Sequence, residues 1–381
     1  MLDKPFILFR DDFSGNDVLF ASPRQIIVAD TSEQFPAALE AAERARAEGR
    51  WLAGYFSYEA GYLLEPKLRA LLPEGRRTPL LCLGVFDGPS DERLPLPVDP
   101  RTNGPIFDAR PAWDFDDYRP RFERLHRHLR EGDCYQGNLT FPFAARWSGD
   151  PLAAFAALAA RQKVKYGALV ALDGPILLSR SPELFFEIGA DGFIETRPMK
   201  GTAPRGRNPA EDERSREFLR NDPKNQAENR MIVDLLRNDI SLISEVGSLD
   251  VPELFRIESY ATVHQMVSRV RARLLPALTI GRIFAALFPC GSITGAPKIR
   301  AMEVLRALED RPRDAYCGAI GWIAPGGRMR FNVAIRTITL HPDGEAVFNV
   351  GGGVVFDSAA EEEYEECLLK ARFVTGMPAS N

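Results

Sequence analysis

The hydrophobic pattern of the chain changes period several times along its length. From Thr31 to Glu48 alanines and larger apolar residues recur at helical spacing until Gly49, which predicts a helix. Trp51–Tyr58 and Leu80–Phe86 are short, nearly continuous apolar runs and read as strands. A charged helix is predicted over Asp116–Glu131, a strand over Cys134–Phe143 and an alanine-rich helix over Pro151–Gln162. Ala168–Leu172, Ile176–Ser179 and Leu184–Ile188 follow closely, spaced like antiparallel hairpins, and Phe193–Arg197 alternates like a further strand. Asp222 and Pro223 supply the N-cap and first residue of a helix running to Asn238. Further strands are predicted over Arg256–Tyr260, Val263–Val270, Cys317–Ile323, Met329–Thr339 and Ala346–Val350, and a helix over Lys298–Leu308. Ser358-Ala359-Ala360-Glu361 spells a capping box that opens a last helix to Phe373. Strands in runs, separated by long helices, predict an α/β (α+β) sandwich of large, mostly antiparallel sheets flanked by helices.

Prolines at 89, 95, 97, 100, 105 and 111 mark either a connection or a surface excursion of a single domain. As a connection they divide an N-terminal region, 1–111, from a larger region, 112–377. The 381 residues are 45% hydrophobic and 27% charged, enough for a large core. A net charge of −5, mixed in sign along the chain, does not point to nucleic acid. Cys82, Cys134, Cys290, Cys317 and Cys367 are scattered without CxxC spacing, which fits reduced thiols in a cytosol rather than zinc or disulfides. The first apolar run ends at Asp11 and Asp12, too short for a secretory leader, and no segment has the length and apolarity of a bilayer span. A soluble cytoplasmic protein is expected.

Chemistry concentrates in a few places. Pro198-Met199-Lys200-Gly201-Thr202 puts a primary amine in a turn after the strand at Phe193–Arg197. Pro198 restrains the approach and Gly201 lets the backbone come close to a ligand. Lys200 there is a candidate nucleophile or an ordinary solvated charge. On the last helix Glu363 and Glu366 share a face, with Lys370 one turn beyond, although most of the run Glu361–Glu366 reads as a solvated N-terminal face. Glu228 lies on the stripe of Ile232 and Leu235, where a carboxylate must be protonated, paired or bound to metal. The two helices together offer oxygen ligands for one Mg²⁺. Phe288–Lys298 is a glycine-containing loop opening a helix and offers backbone N–H groups to an anion, without Walker A spacing. Gly351-Gly352-Gly353 either exposes N–H groups to a ligand or forms a bulge. Arg336, in an apolar strand, is either a structural pair or a carboxylate clamp. The sum suggests a polyanionic small molecule held by loops, an arginine and a metal.

Ser181-Pro182-Glu183, PMKGT, AENRMIVDLLRND, GSITGAPKIRAMEVL, YCGAIGW, AIRT and GGGVVFDS-x-x-EEEY-x-E occur in one order from Tyr118 to Ala371. In these the chain resembles the chorismate-utilising enzymes: component I of anthranilate and aminodeoxychorismate synthases, with isochorismate and salicylate synthases as relatives. Gly54–Tyr62 resembles the N-terminal part of aminodeoxychorismate synthases. The resemblance implies one interwoven sandwich rather than two independent domains. Within it, Lys200 matches the aminodeoxychorismate synthases, where the other branches typically carry alanine. Gln136 stands where isochorismate and salicylate synthases carry a water-activating lysine.

The implied mechanism has Mg²⁺ on Glu228 and Glu366, with Glu363 acting through water, holding the ring carboxylate of chorismate. Neutral Lys200, its charge depressed by burial near Mg²⁺ and Arg197, adds at C2 while Glu183 protonates the departing C4 hydroxyl. Ammonia then attacks C4 and expels the lysine. Tyr316, Arg336, Gly352 and Lys370 are implied to bind substrate carboxylates, and Gln136, Thr294 and Gly295 to line the site. His264 either lines the site too or is a satisfied core histidine. Asn229 and Asn225 depart from the histidine and glutamate often found at these positions. The N-terminal region is short for a tryptophan pocket, so neither feedback inhibition nor structural tryptophan is expected. No glutaminase motif occurs, so ammonia comes from solution or from a separate glutamine amidotransferase subunit. The chain ends soon after the last helix, so no fused lyase is expected. The implied product, 4-amino-4-deoxychorismate, leads to p-aminobenzoate and folate. The alternatives are an anthranilate synthase component I and a non-catalytic scaffold that binds chorismate or an amidotransferase.

Overall fold

The computed structural model describes residues 5–96, 106–260 and 263–376. Two large sheets pack face to face, and every strand pairing among the described residues is antiparallel. The first sheet runs in space through Gly295–Ala296, Gln136–Trp147, Glu345–Val354, Thr337–Leu340, Ile176–Ser181, Tyr166–Ala171, Phe6–Asp11 and Asn16–Ala21, with Ile106–Pro111 also on Gln136–Trp147. The second runs through Met199–Pro204, Val263–Arg273, Phe193–Thr196, Leu184–Ile188, Met329–Val333, Ala319–Ile323, Trp51–Phe56, Leu81–Phe86 and Gln25–Ala29, with Asp250–Ser259 also on Val263–Arg273. Chain segments from before residue 90 therefore supply strands to both sheets.

Burial sorts into layers. Ile7, Phe20, Ala168, Val170 and Leu177 of the first sheet meet Ala53, Tyr55, Cys82, Phe86 and Ile320 of the second in a core between the sheets. Helices cover the outer faces. Phe115–Arg130, Pro151–Arg161, Lys298–Leu308 and Ala360–Thr375 pack on the first sheet, and Gln34–Ala47, Pro223–Ser241 and Ile280–Leu287 on the second. Phe284 shows how tightly the outer layer is joined, stacking on Phe56 at 3.9 Å and meeting Phe331 edge-on at 5.1 Å. Burying such a ring contributes about 1.5–3 kcal/mol.

Several expectations change. The first apolar run, given no element from the sequence, is the strand Phe6–Asp11, which hairpins with Asn16–Ala21. Pro209–Asn221 and Ile280–Leu287 are additional helices. The capping box at Ser358 does not form. The last helix starts one residue later, with Ala359 as N-cap and no side-chain cap, because the Ser358 hydroxyl donates to Glu363 at 2.6 Å. Pro97, Pro100 and Pro105 lie outside the described residues, and Pro111 closes a strand paired with Gln136–Trp147 rather than a free connection.

The largest difference concerns Met329–Thr339, expected as one strand. It is two: Met329–Val333 belongs to the second sheet and Thr337–Leu340 to the first. The crossing is made at Ala334–Arg336, where Arg336 has φ +50°. A second crossing lies beside it, between Ile176–Ser181 of the first sheet and Leu184–Ile188 of the second. The two are tied together. Arg180 N–H donates to the Arg336 carbonyl at 2.9 Å, and Val333 N–H to the Glu183 carbonyl at 3.1 Å. The Ser181 hydroxyl donates to the Val333 carbonyl at 2.6 Å. Paired crossings of this kind bring Glu183 and Arg336 to the same end of the sandwich.

Candidate active site

Glu183 sits in its crossing at 6% exposure, with Oε1 accepting a 2.8 Å hydrogen bond from the Ser292 hydroxyl. Burial pushes its carboxyl up to about 7, against the opposing pull of the Ser292 hydroxyl and the positive charges of Lys200 and Arg336. A carboxyl in that range holds a proton at neutral pH in a large fraction of molecules and can donate it. Ser292 was not singled out among the candidate residues. It comes from a short 3₁₀ turn, Gly291–Ile293, in the glycine-containing loop, and that loop is buried from Phe288 to Ala296, with Pro297 at its end exposed.

Arg336 faces the same space. Its side chain makes no hydrogen bond or ion pair among the described residues, and burial pushes the guanidinium down from its usual value while Glu183 and Tyr316 pull it back up. An arginine left without an internal partner in a polar recess suits an incoming carboxylate. Tyr316 is also buried, which drives its phenol well above the usual range and keeps the hydroxyl protonated as a donor.

Lys200 reaches the site from the edge of the second sheet. It lies within the strand Met199–Pro204 rather than in a turn after Arg197. Its amine stands close to Gly353 of the first sheet: a Cβ placed on Gly353 would meet Lys200 Nζ at 3.0 Å and Gln136 Nε2 at 3.3 Å. Gly352 leaves room in the same way for Glu363, whose Oε2 would stand 2.6 Å from a Cβ. The triple glycine is therefore no bulge. Gly351, Gly352 and Gly353 pair in unbroken register with Thr140, Leu139 and Asn138, and their missing side chains make the floor of the recess. Gln136 is fully buried, and both polar atoms of its carboxamide lack a partner among the described residues. An unmatched buried amide is costly unless a ligand completes it. Lys200 makes no side-chain hydrogen bond or ion pair among the described residues. Arg197, expected beside it, is engaged by Glu258 at 2.5 Å.

The last helix supplies the acidic wall. Glu366 pairs with Lys370 at 2.8 Å, and Lys370 also donates to the Gly351 carbonyl at 2.7 Å. Burial opposes ionisation of Glu366, but Lys370, Lys200 and Lys224 outweigh it and hold the carboxyl below its ordinary value. Glu363 goes the other way: burial and the neighbouring Glu366 raise it, despite the Ser358 hydroxyl and two lysines. Lys224 belongs to Pro223–Ser241, one turn before Glu228, so this face of the helix looks toward Glu366. Along the same stripe Asn225 touches Gly201 and Leu235 touches Gly291, which puts Glu228 between two walls of the recess. The donor set is carboxylate oxygen from two facing helices, the type that Mg²⁺ takes. The three carboxylates do not close on one point. Among the described residues, the trio of acidic, histidine or cysteine groups whose ligand atoms lie within 4.8 Å of one another is His128, Glu131 and Asp133, away from this recess.

Thr294 and Gly295 form the edge of the recess beside Gln136. Gly295 pairs with Gly137, and the Thr294 hydroxyl is spent inside its own turn on the Cys290 carbonyl at 3.1 Å. His264 does not join them. It is fully buried, with Nδ1 on the Ser259 hydroxyl at 2.8 Å and Nε2 on Asp212 at 3.0 Å, so of its two readings the structure supports the satisfied core histidine.

This fold, with an acid, an amine and facing carboxylates around one recess, defines an enzyme class that the comparisons identify. The profile of the chorismate binding enzymes matches residues 4–376, and the chain belongs to that family. It is 44% identical over 294 residues to aminodeoxychorismate synthase component 1 of Klebsiella aerogenes, covering 76% of this chain and 65% of that protein. Against aminodeoxychorismate synthase component 1 of Escherichia coli K12 the identity is 43%, over 67% of this chain and 56% of the relative. The chain thus spans less than two thirds of the length of either relative. Anthranilate synthase component I of Streptococcus pneumoniae superposes with a TM-score of 0.78 at 26% identity, covering 97% of this chain and 90% of that one. No helix among the described residues is long and apolar enough to cross a membrane.

Proposed function

We propose that this chain is the component I activity of an aminodeoxychorismate synthase, converting chorismate and ammonia to 4-amino-4-deoxychorismate on the route to p-aminobenzoate and folate. The observation that carries the reading is Lys200, an amine without a partner among the described residues at the Gly353–Gln136 floor, in a recess that also holds a protonatable Glu183.

In this reading the chorismate carboxylates meet Arg336 and Tyr316, which align the ring over the glycine floor. The Lys200 amine forms a bond to C2, the ring double bonds shift, and the C4–O bond breaks. Glu183 gives its proton to that oxygen, which leaves as water. Ammonia then bonds to C4, the double bonds shift back, and the C2–N bond to Lys200 breaks with the lysine taking back its electron pair. Gln136, whose two amide atoms lack a partner among the described residues, orients the amine and the incoming ammonia. Mg²⁺ held by Glu228 and Glu366, with Glu363 acting through water, would neutralise the ring carboxylate. Holding reactants in such an arrangement contributes as much as the acid itself. Relatives named as component 1 support a separate second component, which in this reading is a glutamine amidotransferase that supplies the ammonia. Five free, buried cysteines are consistent with a reducing cytoplasm.

The test is mass identification of the product from purified protein, chorismate, Mg²⁺ and ammonium. An aminated product that keeps the enolpyruvyl group supports the reading. Anthranilate, which has lost it, would assign the chain to the branch of its Haloarcula marismortui relative, 40% identical and named anthranilate synthase component 1. Unchanged chorismate would leave a binding scaffold.

A further inference from the structure

Lys200 does not project from a regular strand. Met199 pairs with Val267 and Thr202 with Gln265, so Lys200 and Gly201 together face the single residue Met266. Two residues opposite one is a β-bulge, a device that turns a side chain away from the direction the pleat would give it. Gly201 adopts φ +89°, which an L-residue rarely tolerates. A bulge at a sheet edge is loose unless its carbonyls are held, and here a side-chain amide faces each, Gln265 at close hydrogen-bond distance and Asn229 at the outer limit of one.

Asn229 Nδ2 reaches the Lys200 carbonyl at 3.5 Å, while Asn229 Oδ1 accepts from the Ser268 hydroxyl at 2.6 Å. Ser268 in turn accepts from Phe255 N–H at 3.1 Å, and its own N–H donates to the Pro198 carbonyl at 3.2 Å. Gln265 Nε2 donates to the Gly201 carbonyl at 2.8 Å, and its Oε1 accepts from the Thr202 hydroxyl at 2.9 Å. Asn225 closes the other side, with Oδ1 2.8 Å from the point where a Gly201 Cβ would stand. Asn229 and Ser268 are both fully buried. A buried asparagine whose two ends join a helix, a strand and the carbonyl of a reactive lysine does more than fill space.

We propose that Asn229, braced by Ser268, is a positioning residue that sets where the Lys200 amine stands, and that Gln265 holds the second carbonyl of the same bulge. The proposal rests on the reading of Lys200 as nucleophile only for its effect on rate. The placement of the amine is measurable without turnover.

The test uses the full chain with Asn229→Ala, Gln265→Ala, Lys200→Ala and the Asn229→Ala/Lys200→Ala double variant. Trace labelling with acetic anhydride, read by peptide mass mapping, compares Lys200 with the exposed Lys224 in each. The labelling ratio at Lys200 is expected to shift more than about threefold in Asn229→Ala. A misplacement of about 1 Å can cost on the order of 10²-fold, so kcat is expected to fall roughly ten- to a hundredfold with little change in KM for chorismate. Because both residues act through one amine, the double variant is expected to be no slower than Lys200→Ala. If Asn229→Ala does not fold, Gln265→Ala, at a half-buried position, carries the labelling test. Labelling unchanged in every folded variant, or a double variant slower than Lys200→Ala by the full Asn229→Ala factor, overturns the proposal. A shifted labelling ratio together with full activity in Lys200→Ala supports the clamp and removes the nucleophile reading instead.

Discussion

Glu183 and Glu366 are the same residue type in the same recess, and their surroundings give them opposite chemistry. Glu183 is enclosed by two crossings between the sheets and the loop that carries Ser292, with 6% of its surface exposed, and burial pushes it up to about 7. The Glu366 side chain keeps 53% exposure, stands 2.8 Å from Lys370, and is held below its ordinary range by three lysines. One carboxyl is kept ready to give a proton and the other is kept anionic. Environments that push two carboxyls apart separate an acid from an anion in one site. The difference comes from the fold: Glu183 is placed by buried backbone crossings, Glu366 by one face of a surface helix.

The largest effect is expected on the anionic side. Glu366→Gln keeps the shape of the side chain and removes its charge, so turnover of chorismate with ammonium should fall below detection while the circular dichroism spectrum stays unchanged. Normal turnover in this variant, or in wild type with excess EDTA, would break the assignment of Glu366 as a metal-holding anion. On the acid side, Glu183→Gln cannot release a proton, and loss of a general acid costs about 10²–10⁴ in rate. Chorismate binding by titration calorimetry should remain near normal, and a rate loss under about tenfold would reduce Glu183 to a structural role.

A finer test concerns Ser292. Its hydroxyl donates to Glu183 and favours the carboxylate, so Ser292→Ala should raise the carboxyl further. Since the protonated form is the active one, activity is lost as pH rises through this value, and the alkaline limb of kcat should move to higher pH in the variant. The rate at the optimum should change by less than about tenfold. A limb that stays in place or moves down would separate the titrating group from Glu183.

Much of this was legible in the sequence, for reasons that differ by element. Lys200 and the carboxylates of the last helix sit in short motifs whose order survives without any tertiary information. The helix at Pro223 announces itself through Asp222, which caps Asn225 N–H at 2.9 Å. The bulge beneath Lys200 was not legible, because it exists only in the register between Met199–Thr202 and Gln265–Val267. Asn225 and Asn229 stood out in the sequence only as departures from a pattern, and what they touch is visible only once the helix lies against that bulge. The crossing at Arg336 was hidden for another reason. Residues on both sides of it are buried, so the apolar run from Met329 onward carries no mark of where it leaves one sheet for the other. The helix Pro209–Asn221 shows no readable period in the sequence, because Leu219 is its one fully buried residue and too narrow a stripe. His264 illustrates the converse: a histidine among site motifs turned out to be satisfied by Ser259 and Asp212.

The proposed covalent bond between Lys200 and the substrate ring can be detected without reference to rate. Purified wild-type protein is incubated with chorismate and Mg²⁺ in the absence of ammonia, quenched rapidly, digested and mapped by mass spectrometry. The account predicts a chorismate-derived adduct, formed with loss of water, on the peptide containing Lys200, and its disappearance when ammonium is added before the quench. An adduct on a different residue, or none while ammonium-dependent turnover is robust, would contradict it.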